Sequence, residues 1–162
     1  AQAESGTLVL DVQRVSAAGF INNAVSVMSP IAQARHVTLQ TRLPEDEVFV
    51  RCDEQRILQV LSNLIGNAIK FTPKDGHIDL MLDASATTAT FQIADSGPGI
   101  AFNQLPHIFD RFWRGANTHG HGVGVGLGLS IVQAIIAAHE AKVTASNRPG
   151  GGACFSFTLE RD

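Results

Sequence analysis

An α+β fold, an α/β sandwich with helices on one face of a β-sheet, is what this sequence predicts, from three kinds of pattern. Apolar and polar residues alternate in several short runs, as half-buried strands require. Other runs place apolar residues three and four apart, the spacing of a helix that buries one face. Clusters of Pro, Gly, Asp and Glu separate the two kinds. At 162 residues and 44% hydrophobic, with no repeat or low-complexity tract, the chain has the size of one domain with a real core. That domain is expected over 7–162, after a small polar end at 1–6.

In order along the chain, Thr7-Leu-Val-Leu-Asp11 predicts a short strand. From Ser16, Ile21, Val25, Met28 and Ala32 mark one face of a helix that Pro30 should kink or restart. Val37, Leu39 and Leu43 alternate with Thr38, Gln40 and Arg42, and Val48, Val50 and Cys52 repeat the pattern after the turn Pro44-Glu-Asp-Glu47. These two strands are expected to be neighbours. Asp53 is a good N-cap for a helix through about Lys70, with Ile57, Leu61, Leu64, Ile65 and Ala68 as its apolar stripe. After Pro73-Lys-Asp-Gly76 come Ile78, Leu80 and Leu82, then Phe91 and Ile93, a strand pair joined near Ser85. Leu129 to Ala138 is an apolar run that predicts a buried helix, followed by a hairpin of Lys142–Ser146 and Ala153–Leu159 around Pro149-Gly-Gly-Gly152, with Phe155, Phe157 and Leu159 inward.

A net charge of −3 and scattered basic residues give no general attraction to nucleic acid or anionic lipid. Neither contact is expected. Cys52 and Cys154 sit in strand patterns without metal-ligand or Cys-x-x-Cys spacing, as core thiols of a reducing compartment do. No apolar run reaches the roughly 18 residues that suggest a bilayer span, and no signal-peptide pattern is present, so a cytoplasmic location is expected.

Chemistry concentrates between Asp95 and Ser130. This stretch starts Asp95-Ser-Gly-Pro-Gly-Ile100 and ends Gly122-Val-Gly-Val-Gly-Leu-Gly-Leu-Ser130. Closely spaced glycines remove Cβ atoms and allow positive φ, so backbone N–H groups can close around an anion, with the N-terminus of the following helix pointing at it. A phosphate cradle, and hence a nucleotide, is the functional reading; a flexible loop is the plain one. The spacing fits neither the P-loop nor the Rossmann glycine pattern. On the helix after Asp53, Asn63, Asn67 and Lys70 fall on one face with Phe71 at the row's end, which on spacing alone describes a solvated face or a binding face equally. Gly66 in mid-helix suggests close approach of another group. Asp95 arrives at a strand end beside backbone that a ligand can approach closely.

Taken in order, these segments resemble the catalytic ATP-binding domain of bacterial two-component sensor histidine kinases, of the GHKL superfamily with its Bergerat fold. The likeness runs from about Val37 to Leu159. Gln59-Val-Leu-Ser-Asn63-Leu-Ile-Gly-Asn67-Ala-Ile-Lys70-Phe71-Thr72-Pro73 is similar to that family's N box, and Asp95–Ile100 to its first glycine box. Ile108–Arg114 resembles its F box and Gly122–Ser130 its second glycine box. Four ordered boxes are far more specific than any one of them.

The resemblance implies a mixed, mostly antiparallel sheet backed on one face by about three helices, as in gyrase, MutL and the large heat-shock chaperone. It implies ATP and Mg²⁺ as ligands: Asn67 on the metal with Asn63 assisting, Lys70 on phosphate and Phe71 beside the nucleotide ring. By the same likeness Asp95 accepts from the adenine amino group, Gly97 and Gly99 permit the turn, and Ile100 packs on the base. Residues 101–126 would form an ATP lid, with Phe112 in the F box, Arg111 or Arg114 reaching phosphate, and Gly122, Gly124, Gly126, Leu127 and Gly128 in the second glycine box.

The implied reaction is transfer of the γ-phosphoryl group to a histidine on a dimerisation and phosphoacceptor domain, with a response regulator as the indirect partner. Family members often carry Gly-Gly after the last helix where this chain has Glu140-Ala141, so the turn into Lys142 is expected to differ. No His-Glu-x-x-Thr-Pro phosphoacceptor box surrounds His36, His77, His107, His119, His121 or His139. The competing functions are an ATPase clamp, a serine kinase of the anti-sigma type and a docking module without turnover. The ATPases of the superfamily resemble one another in placing glutamate four residues before the metal asparagine, where this chain has Asn63.

Overall fold

The computed structural model describes residues 8–110 and 128–162. In chain order these form β1 (Gln13–Ser16), α1 (Ala17–Ala34), β2 (Thr38–Arg42), β3 (Phe49–Cys52), α2 (Glu54–Phe71), β4 (His77–Ala84) and β5 (Thr88–Asp95). A 3₁₀ turn (Phe102–His107), α3 (Gly128–Ala138), β6 (Val143–Asn147) and β7 (Ala153–Glu160) follow. The main sheet has the order β2-β4-β5-β7-β6, with β2 and β4 parallel and every other pair antiparallel. The expected mixed, mostly antiparallel sheet with helices on one face is what forms.

Helix α2 is the central helix. It packs against α1 on one side and α3 on the other, and it lies on β4 and β5. Its start is fixed as the sequence predicts: Asp53 Oδ1 accepts from Arg56 N–H at 3.2 Å, satisfying a donor the helix itself leaves unpaired. At its other end the Thr72 hydroxyl donates to the Ala68 carbonyl at 2.7 Å. Ile57, Leu61, Leu64 and Ile65 are buried against the sheet side chains Ile78, Leu80, Phe91, Ile93, Phe155 and Phe157. Each such side chain contributes about 1.5–3 kcal/mol on leaving water. Register aligns the largest of them, with Leu82 opposite Phe91, Phe91 opposite Phe157, and Phe157 opposite Val143. Phe91 and Phe157 stack at 4.9 Å, and Phe20 of α1 closes over Phe91 at 5.4 Å.

Four expectations need correction. Residues 8–11 form no strand; Val9 is 75% exposed, and Asp11 N–H donates to the Asp53 carboxylate at 3.0 Å instead of to a neighbouring strand. The strand lies at Gln13–Ser16, where it pairs with β3. That pairing is the second correction, because β2 and β3 are not neighbours. A parallel β2–β4 pair needs a long crossover, which α2 supplies, and β3 goes to β1 in a separate two-stranded sheet. Third, α1 neither stops nor restarts at Pro30, which is exposed, while Met28 and Ala32 stay buried on the opposite side. Fourth, α3 is mostly apolar yet buries only Val132, Ile135 and Ile136, and leaves Ile131 37% exposed.

The turn after α3 differs from Gly-Gly in chemistry but not in kind. Glu140 takes a left-handed φ of 60°, and Ala141 N–H reaches back to the Ile136 carbonyl at 3.1 Å, closing the helix as a glycine would. Among the described residues no helix is long and apolar enough to cross a membrane.

Candidate functional site

The polar row of α2 is formed as the spacing predicts, with Asn63, Asn67, Lys70 and Phe71 all half-buried rather than fully solvated. The row spans about 12 Å, from the rise per residue of a helix. At one end Asn63 Nδ2 donates to the carbonyl of Gly128, the last glycine of the second cluster, at 3.5 Å. At the other end the Phe71 carbonyl lies against Gly97, where a Cβ would stand 2.7 Å from that oxygen. The helix therefore bridges the two glycine clusters. Lys70 Nζ lies 5.2 Å from the Phe71 ring centroid, within cation–π range. Gly66 plays no such part: a Cβ there would meet Met28 Cε of α1 at an ordinary 3.4 Å, so the close approach expected of it is helix packing.

Asp95 closes β5 with 5% exposure. Its Oδ1 accepts from Gly97 N–H at 2.8 Å and from Ala153 N–H at 3.2 Å. Two backbone donors on one oxygen orient the carboxylate and leave Oδ2 outside both bonds, which is how an acceptor is prepared for a ligand donor. Ser96 anchors the same corner, its Oγ accepting from His77 N–H at 2.9 Å. Gly99 has φ +82°, and a Cβ there would come within 2.8 Å of Asn147 Oδ1, so glycine is required on both counts. Ile100 is half-buried at the edge of the core. Phe109 of the predicted F box meets Phe155 edge-on at 6.0 Å. Arg111, Phe112, Arg114, Gly122, Gly124, Gly126 and Leu127 lie outside the described residues, as does most of the lid expected over 101–126.

Three residues of this corner escaped the sequence reading. The run Pro149-Gly-Gly-Gly152 was expected only as a hairpin separator, yet Gly152 has φ +97° and lies so close to the Asp95 carbonyl that a Cβ would collide with it. Asn147 bonds both backbone groups of Ile100, and Arg148 donates to the Asp95 carbonyl at 3.1 Å. The available signal was the glycine triplet itself, which is longer than a hairpin turn requires.

Both cysteine thiols are pushed away from the reactive thiolate form. Burial pushes the Cys52 thiol up to about 12, with the nearby Glu54 and Asp53 charges adding to it. Cys154 is raised too, by burial first, although Arg148 pulls the other way; it is half-buried on the sheet's open face rather than in the core. Among the described residues no three His, Cys, Asp or Glu side chains converge as a metal site. A cation at this site would have to rest on the amide oxygens of α2 and on its ligand's own oxygens, a donor set that suits Mg²⁺ rather than a transition metal.

A family model described as histidine kinase-, DNA gyrase B-, and HSP90-like ATPase matches residues 52–162. Sensor protein KdpD of Clostridium acetobutylicum is 39% identical over 125 residues, covering 76% of this chain and 14% of that protein. The adaptive-response sensory kinase SasA of Parasynechococcus marenigrum is 34% identical over 148 residues, 91% of this chain and 39% of its own length. The chain thus spans well under half of either relative. Among solved structures, full-length ShkA in complex with AMPPNP superposes with a TM-score of 0.84 at 31% identity, over 97% of this chain and 33% of that one.

Proposed function

Because the chain belongs to the histidine kinase-, DNA gyrase B-, and HSP90-like ATPase family, we propose that it binds Mg·ATP and donates the γ-phosphoryl group to a histidine. That histidine stands on a dimerisation and phosphoacceptor domain of a sensor kinase, from which a response regulator takes the phosphoryl group. The observation that carries the reading is the Asp95 carboxylate, buried at a strand end and oriented by Gly97 and Ala153 beside the amide and ammonium row of α2.

Asp95 accepts from the exocyclic amine of adenine and would repel the carbonyl of guanine, which makes the site selective for the base. Ile100 packs on the ring and Phe71 lines it. Asn67, with Asn63 assisting, would hold Mg²⁺ through side-chain oxygens, and Lys70 would contact phosphate. A cation held there would supply neutralisation of charge on the phosphate oxygens. Arg111 or Arg114, and the glycines from Gly122 to Gly128, complete the phosphate cradle in this proposal. Asn63 has no carboxylate with which to deprotonate water, and its amide is engaged with Gly128, which favours transfer to a protein nucleophile over hydrolysis. A cytoplasmic location follows from the supply of ATP.

Calorimetric titration with Mg·ATP and with ADP, followed by transfer from γ-labelled ATP to a histidine domain supplied in trans, tests the proposal. Saturable binding and label on the histidine domain are expected. Absence of binding by a folded chain overturns it.

A further inference from the structure

The turn between β6 and β7 grips the segment 95–100 at three separate places. Asn147 Oδ1 accepts from Ile100 N–H at 2.7 Å while its Nδ2 donates to the Ile100 carbonyl at 2.8 Å, so one side chain reproduces a full rung of a β-ladder. Arg148 extends its guanidinium in a fork: Nη1 donates to the Asp95 carbonyl at 3.1 Å and Nη2 to Asp79 Oδ2 at 3.3 Å. Asp79 is a buried carboxylate of β4, 4% exposed, and among the described residues its Oδ1 has no hydrogen-bond partner, so the Arg148 guanidinium at Oδ2 offsets the burial of this charge, with His77 Nε2 3.9 Å from the same oxygen. The loop bearing both residues is itself closed, Arg148 N–H donating to the Gly152 carbonyl at 2.8 Å and Gly151 N–H to the Arg148 carbonyl at 3.1 Å. Gly152 then presses on the Asp95 carbonyl, and Ala153 N–H completes the hold on the carboxylate.

Building on the ATP-binding reading above, we infer that Asn147 and Arg148 are positioning residues for the adenine pocket. Together they set the distance and angle between the carboxylate that selects the base and the Ile100 side chain that packs on it. Neither residue needs to touch nucleotide. Asn147 ties down the Ile100 end, and Arg148 adds to the strand pairing and the Ser96 bonds that hold the Asp95 end, with Gly97, Pro98 and Gly99 between them. Discrimination between adenine and guanine depends on this spacing, because at the C6 edge of the base adenine offers Asp95 an amino donor and guanine a carbonyl. The C6 carbonyl of guanosine nucleotides gains nothing from Asp95, so their binding would rest on Ile100 packing and on phosphate and metal contacts on α2, which the turn does not reach. Loosening the turn therefore lowers affinity for ATP by more than affinity for GTP, since the Ile100 packing serves either purine but the Asp95 hydrogen bond serves adenine. A general loss of stability lowers both together.

The test is competition of Mg·ATP and of Mg·GTP against a ribose-labelled fluorescent ATP, in the parent chain and in Asn147→Ala and Arg148→Met, each checked by circular dichroism melting. Asn147 is exposed, so its truncation leaves the core untouched. We expect each substitution to weaken ATP about tenfold and GTP by a clearly smaller factor, so that the preference for ATP falls. ATP affinity within twofold of the parent, or equal proportional losses for both nucleotides, overturns the inference. Should one variant not fold, the other decides by the same criteria. A parent chain that binds no ATP overturns the ATP-binding reading and this inference with it; a parent that prefers ATP and variants that keep the preference overturn this inference alone.

Discussion

Asp95 offers one carboxylate oxygen to two backbone N–H groups, and that arrangement decides what asparagine would do in its place. The amide oxygen would take over the bonds to Gly97 and Ala153, leaving the NH₂ group turned toward the ligand. Adenine would then meet a donor where it needs an acceptor. We predict that Asp95→Asn folds and loses about 1.5–3 kcal/mol or more of ATP affinity, roughly 10- to 150-fold. Unchanged affinity in a folded variant would remove Asp95 from the site. In the proposed site Asn67 serves the other half of the ligand. Asn67→Ala is predicted to weaken Mg·ATP strongly and metal-free adenosine hardly at all, since it deletes an oxygen donor for a hard cation without disturbing the base pocket. Equal losses for the two ligands, measured by titration, would make Asn67 a structural residue.

Elements differ in how far the sequence reveals them, and the reason is the range of the interactions that fix them. Helix α2, the β4–β5 hairpin and the β6–β7 hairpin are fixed by local signals: an N-cap at Asp53, a turn at Ser85, and alternation such as Phe155, Phe157, Leu159. The pairing of β3 with β1 instead of β2 was not legible, because strand alternation is the same whichever neighbour accepts the strand. Nor was the use of Asn147 and Arg148, whose partners lie 47 and 53 residues away. Alternation and glycine spacing announced Asp95, but the turn that holds it reads only as a turn. The α3–β6 junction offers a test at this scale. Glu140 holds a φ of 60° while exposed to solvent, a conformation that costs a side-chain-bearing residue about 1–2 kcal/mol and glycine almost nothing. Glycine gives back part of that through greater freedom in the unfolded chain, about 0.5–1 kcal/mol. Glu140→Gly is therefore predicted to raise stability by about 0.5–1 kcal/mol, a rise of roughly 1–4 °C in Tm. A lower or unchanged Tm would mean that the Glu140 side chain contributes more than the strain costs.

For the molecule as a whole, a nucleotide site is not yet a catalyst. Phosphoryl transfer needs a nucleophile in line with the γ-phosphorus, and water in that role needs a residue to orient or deprotonate it. Of the described histidines, His139 is taken up inside the fold, its Nε2 accepting from Asp53 N–H at 3.0 Å and its Nδ1 bonded to the Ile135 carbonyl at 2.8 Å. His107 pairs with Asp110 at 3.1 Å, and His77 opens β4 beside Asp79. None stands in the sequence context of a phosphoacceptor, and position 63 carries an amide where hydrolysis would want a carboxylate. The 162-residue chain, incubated alone with Mg·ATP, is accordingly predicted to bind nucleotide without labelling itself and without releasing phosphate at an appreciable rate. Adding a histidine phosphoacceptor domain in trans should restore transfer only weakly, since a tethered domain reaches an effective concentration on the order of mM that free domains in a dilute mixture do not. Acid-labile label retained on the chain alone would identify one of its own histidines as an acceptor. Rapid phosphate release would move the assignment from kinase to ATPase, and would require that something other than Asn63 activate the water.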